Sequence, residues 1–145
     1  MLPAVRGWCL AVTLAGCVPG ERQVNAYESV EAARADGLFL RGWLPDVLPP
    51  HSGPIVEAHD LDTNAGCSRS SFPPHLTAEL RISLLKAGFR DGGTPPQSLP
   101  LSICPFEALD IEEPDYVFIR TPNPSGPEEF AAVASGILYL WSSPR

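Results

Sequence analysis

Seventeen of the 145 residues are proline, and no other feature restricts the fold so strongly. Each proline fixes φ near about −65° and removes a backbone donor, which ends helices and excludes the residue from central strands. The chain must therefore be built from short elements joined by much irregular backbone. Pro45, Pro49, Pro50 and Pro54 make one such rigid connector. The length fits a single domain. Hydrophobic content of 44% is that of a globular protein, and no sequence period is present, which excludes collagen, coiled coil and wholesale disorder. Ten basic residues face 17 acidic ones, for a net charge of −7. That balance excludes nucleic-acid binding by bulk electrostatics and a polybasic patch for anionic lipid. No apolar run reaches the ~18 to 20 residues a spanning helix needs.

The N-terminus reads as an export signal. Arg6 precedes ten uncharged, mostly apolar residues, Gly7 to Gly16, too few to span a bilayer. The stretch ends in Leu14-Ala15-Gly16-Cys17, which resembles the lipobox of bacterial lipoproteins. The resemblance implies that the Cys17 thiol is joined to diacylglycerol and that the signal, residues 1–16, is cut just before it. A cysteine is required there because the thioether needs a sulfur nucleophile. Losing Arg6 leaves 9 basic and 17 acidic residues in the mature chain, net −8. Val18 rather than Asp follows the cysteine, which by the same resemblance points to the outer membrane. The expected location is the cell envelope, with the domain facing the periplasm or exterior.

Cys9 leaves with the signal and Cys17 is taken by lipid, so Cys67 and Cys104 remain. An oxidising compartment invites a disulfide between them, with two separate buried thiols as the alternative.

Residues 17–26 are polar and aperiodic and read as a tether; residues 27–145 read as one domain. The spacing predicts a helix over Tyr27 to Asp36 with Gly37 as its stop. Ile55 to Leu61 alternates, placing Ile55, Glu57, His59 and Leu61 on one side of a strand. Ala65 to Pro74 is open between strand and loop. Leu76 to Phe89 is the clearest helix, with Leu76, Leu80, Leu84, Leu85 and Phe89 facing the core and Gly88 as cap. Asp91 to Gln97 is a turn-rich loop. Asp115 to Arg120 and Gly136 to Trp141 predict two antiparallel strands joined through residues 121–127; Glu128 to Ser135 extends the second strand or forms one helical turn. The expectation is a small α+β domain, an antiparallel sheet with about two helices packed on one face.

Arg41-Gly42-Trp43-Leu44-Pro45, Leu48-Pro49 and Glu57-Ala58-His59-Asp60-Leu61-Asp62-Thr63-Asn64, with the helix before them, resemble the YbbD head domain of small bacterial lipoproteins. The resemblance covers about a third of the chain. It implies an extracytoplasmic lipoprotein domain and carries no activity. Where those relatives continue with an aromatic-rich strand, this chain has Ala65-Gly66-Cys67-Ser68-Arg69-Ser70-Ser71-Phe72.

The densest polar cluster is His59, Asp60, Asp62 and Asn64. Asp60, Asp62 and Asn64 have the first three spacings of a calcium loop, but Ala65 and Ser71 stand where the EF-hand needs Gly and Glu, so the motif fails. Asp and Asn side chains also fix turns by bonding nearby backbone, and that reading is preferred here. His59 shares a side with Ile55 and Leu61, as a half-buried histidine would. A Cys–His pair drawn from Cys67 or Cys104 with His51, His59 or His75 lacks any local signature. The acidic run Asp110, Glu112, Glu113 and Asp115 reads as a solvated loop. Tyr116, Phe118, Tyr139 and Trp141 read as core or cross-strand pairs. No catalytic residue, metal or cofactor is assigned. The expected function is a non-enzymatic, membrane-anchored domain that binds an envelope protein or a small ligand. The alternatives are a metal-binding protein or hydrolase centred on His59, Asp60 and Asp62, and a purely structural lipoprotein.

Overall fold

Most of the chain's order comes from strand pairing. The structure, a computed structural model, describes residues 22–92, 104, 114–121 and 127–142. Along the chain these are β1 (Arg22–Tyr27), α1 (Val30–Ala35), β2 (Ile55–Asp60), β3 (Gly66–Ser71), a 3-10 turn (Pro74–Leu76) and α2 (Thr77–Lys86). After them come β4 (Arg90–Asp91), β5 (Tyr116–Arg120), β6 (Glu129–Ala134) and β7 (Ile137–Ser142). The strands form one seven-stranded sheet in the order β1-β2-β3-β7-β6-β5-β4. Every neighbouring pair is antiparallel. The expected α+β class is thereby corrected: the described residues are mainly β, with two short helices among them, of six and ten residues.

Three strands carry weak local signals, and these account for the difference. β1 (Arg-Gln-Val-Asn-Ala-Tyr) is an edge strand, and its mostly exposed residues read as tether. The expected tether therefore stops short: residues 22–26 pair with β2 from Arg22↔Asp60 to Ala26↔Val56. β3 is serine-rich, yet it is central, paired with β2 and β7. β6 holds Ala131, Ala132 and Ala134, good helix formers, and tertiary pairing on both sides overrides that preference. It lies between β5 and β7, so the two strands expected to pair directly do not touch. β6 and β7 close through Ser135 and Gly136, both at positive φ (50° and 79°), the conformation a two-residue hairpin requires.

α1 starts at Ser29, whose Oγ accepts the Ala32 amide at 3.2 Å. α2 buries Leu80 and Leu84 completely, but Leu85 is 45% exposed, which corrects its expected inward position. Five residues beyond Leu80, it has turned about 140° around the helix. Leu76 lies in the 3-10 turn, only partly buried, while Phe89 is buried beyond the helix end.

The sheet is covered on both faces. On the helix-bearing face, Ile55, Phe118, Ala131, Val133, Leu138 and Leu140 join Val30, Ala33, Leu80 and Leu84 in one core. The proline connector contributes Leu44, Val47 and Leu48 to it. On the opposite face Ala58, Cys67, Phe130, Ala132, Tyr139 and Trp141 form a second cluster. Cys104 packs against that cluster and is bonded to Cys67, with the Cα atoms 5.7 Å apart. Neither thiol is free for a Cys–His pair. Among the described residues no helix is long and apolar enough to cross a membrane.

Candidate functional site

Side chains on one face of an antiparallel sheet line up in rows across the strands. At one end of the helix-bearing face the row runs Gln23, His59, Gly66, Ser142, Glu129, Arg120. The next row begins Asn25, Glu57, Ser68 and then turns apolar at Leu140. The face is thus greasy over most of its area and polar at this one end.

Two polar groupings organise that end. On the β2 side, Glu57 and His59 are 1% and 3% exposed. His59 Nδ1 is hydrogen-bonded to Glu57 Oε1, and with Glu57 as carboxylate the imidazole is the donor. Asn25 Nδ2 donates to the other carboxylate oxygen at 2.9 Å. Trp43, from the connector, stacks on the His59 ring with centroids 3.8 Å apart and planes 12° apart. A buried carboxylate is costly unless hydrogen-bonded on both oxygens, and here both are engaged.

On the β5–β6 side, Arg120 Nε donates to Glu129 Oε2 at 2.7 Å and Nη2 donates to the same oxygen. Its Nη1 donates to the Ala87 carbonyl at 2.9 Å, just past α2, and the guanidinium lies 4.6 Å over the Phe89 ring. One side chain therefore joins β5, β6 and the end of α2. Between these groupings lies a cavity of about 370 Å³, bounded by Trp43, Arg41, Asn64, Phe89, Arg120 and Glu129 among others. Arg41 is held at its rim. Arg41 Nη2 donates to Asp36 Oδ2 at 2.7 Å, Arg41 Nη1 to the Asp36 carbonyl at 2.6 Å, and the Tyr27 hydroxyl to Asp36 Oδ2 at 2.8 Å. The Arg41 hydrogen bond, followed by that of Tyr27, holds the Asp36 carboxyl below its ordinary range.

The polar cluster singled out in the sequence does not converge. His59 turns inward to Glu57. Asp60 Oδ1 accepts the amides of Asp62 (2.8 Å) and Thr63 (3.0 Å), fixing the β2–β3 turn. Asn64 takes positive φ (54°), and its carbonyl accepts the Ser142 hydroxyl at 3.4 Å. Asp62 is exposed. Among the described residues no group of three or more His, Cys, Asp or Glu is placed to hold a metal. The acidic residues 110–113, Cys17, the 93–97 loop and residues 122–126 lie outside the described residues; Asp115 accepts the Ser135 amide at 3.1 Å.

Sequence reasoning missed Arg120, Glu129 and the role of Trp43. The Arg120–Glu129 pair spans β5 and β6, and the sequence left β6 ambiguous. For Trp43 the only signal was its place in the Arg41–Pro45 run.

Residues 21–71 match the family model of the YbbD head domain. The chain thus carries a YbbD-head-like segment of 51 residues, from just before β1 to the end of β3. No curated protein and no solved structure matches the chain. The matched segment supplies Glu57, His59, Trp43 and Arg41 to the site, and the remainder supplies Phe89, Arg120 and Glu129.

Proposed function

We propose that the protein is a lipid-anchored head domain of the bacterial envelope that binds a small ligand, or a side chain of a partner, in the cavity beside Trp43. The carrying observation is the cavity itself: about 370 Å³, with aromatic walls, and with Arg41 and Arg120 positioned by Asp36 and Glu129. That mixture of apolar wall and few fixed polar groups is the usual make-up of a ligand site. The YbbD-head-like match and the Leu14–Cys17 lipobox support an envelope location. One acyl chain anchors a protein only marginally, and the two or three carried by a lipoprotein cysteine give a firm hold. Catalysis or metal binding at His59, Asp60 and Asp62 is not favoured, because His59 is bonded to Glu57 and Asp60 to its own turn, while Asp62 stands exposed.

Two measurements test this reading. Cys17→Ser should lose acyl labelling and stop fractionating with membranes; unchanged labelling and partition would refute the anchor. Native mass spectrometry of protein extracted from its own membranes should show a bound mass that Trp43→Ala loses. If wild type carries no added mass, or Trp43→Ala keeps it, the cavity is not the binding site.

A further inference from the structure

We propose that the polar end of the sheet, where the cavity lies, is a membrane-docking surface that seats on lipid through Leu40 and Leu61. The inference rests on Cys17 as the anchor. Four residues, Val18 to Glu21, separate Cys17 from Arg22, where β1 begins. Five Cα steps reach at most about 18 Å. Arg22 pairs with Asp60, the last residue of β2, and Leu61 follows directly in the turn. The anchor therefore keeps this end of the sheet within a short reach of the bilayer, whatever path the four residues take.

Leu40 belongs to the same end. The next residues, Arg41 to Pro45, share the cavity wall with Asn64 and Gly66. Leu40 is 93% exposed and Leu61 41%. Exposed leucines alone are ordinary on a protein surface; what singles these out is their position on two adjoining loops at the anchored end. Of the charged groups there, Arg41 is tied to Asp36, Arg120 to Glu129, and Asp60 is bonded to its own turn. Arg22 and Asp62 are both exposed and opposite in sign. The contact is thus apolar rather than electrostatic, in keeping with a chain whose net charge would repel anionic lipid. The occupant is the bilayer itself, because the anchor places it there.

After processing and disulfide formation, Leu61→Cys, Leu40→Cys or Ser135→Cys each gives a single free thiol for a fluorescent label. Ser135 is exposed at the opposite end of the sheet. The lipidated full chain is placed in vesicles of phosphatidylethanolamine and phosphatidylglycerol containing a headgroup-quencher lipid. Most of the fluorescence at positions 40 and 61 should be quenched, and little at 135. With Leu40→Asp added, the label at 61 should lose much of its quenching. Equal quenching at 61 and 135, or a label at 61 indifferent to Leu40→Asp, overturns the docking surface. The mass of the N-terminal peptide reads acylation separately. An unacylated Cys17 overturns the anchor, and with it this inference.

Discussion

Removing the Glu57 carboxylate tests how the polar end is held together. Glu57→Ala strands the Nδ1 donor of His59 beneath the Trp43 ring, with both residues of the pair almost fully buried. Asn25 is only half-buried and can turn to water, so the cost falls mainly on His59. An unsatisfied buried donor costs about 1 to 3 kcal/mol. Breaking a buried pair by removing one partner costs about 3 to 5 kcal/mol. With Asn25 rescued by solvent, about 3 kcal/mol is expected. Glu57→Gln keeps the shape and one acceptor oxygen, so it should cost about 1 to 2 kcal/mol. The double variant Glu57→Leu/His59→Phe removes donor and acceptor together and should recover most of the loss. Urea unfolding followed by tryptophan fluorescence measures all three. If Glu57→Ala costs less than about 1 kcal/mol, or if Glu57→Ala and His59→Ala add within about 0.5 kcal/mol, the pair is not a coupled unit and the reasoning fails.

Other outcomes follow from single residues. Leu80→Ala should cost about 2 to 5 kcal/mol, since Leu80 is wholly buried, while Leu85→Ala on the exposed side should cost under about 0.5 kcal/mol; thermal or urea melts that rank them the other way would contradict the helix orientation. Asp36 has a depressed folded value, so its contribution is full above the ordinary aspartate value of 3.8 and is lost as pH falls through the folded one. Asp36→Asn should therefore flatten the acid limb of the stability profile, and an unaltered limb would count against the Arg41 contact. Asp60→Ala should cost about 1 to 2 kcal/mol through loss of the turn bonds, with Asp60→Asn milder. Added calcium should leave the wild-type melting temperature unchanged; a calcium-dependent rise would revive a metal site in that turn.

Long-range pairing hid what local pattern could not reveal. Alternation made β2 readable and put Glu57 and His59 on one side, where they are found. Four-residue spacing made the inward Leu80 and Leu84 readable, but it overreached at Leu85. β1, β3 and β6 were obscured because an edge strand needs few apolar residues, a central strand can bury serines such as Ser68 and Ser70, and alanine favours helix until neighbours claim it. For the site, His59, Asp60, Asp62 and Asn64 stand out in the sequence because they are dense there. The partners that matter, Arg120 with Glu129 and Trp43 with His59, are separated in sequence and meet only through the register of the sheet and the connector.

The middle strand of the sheet, β7, is also the last of the described strands in chain order. Until Ile137 to Ser142 is available, β1–β3 and β4–β6 are two fragments, each with an open inner edge, and nothing described joins them into one sheet. Completion must wait for contacts between residues 66–71 and 137–142, a loop closure that is slow compared with local hairpins. A nascent chain whose residues 137–142 have not yet emerged therefore still exposes the unpaired inner edges of β3 and β6.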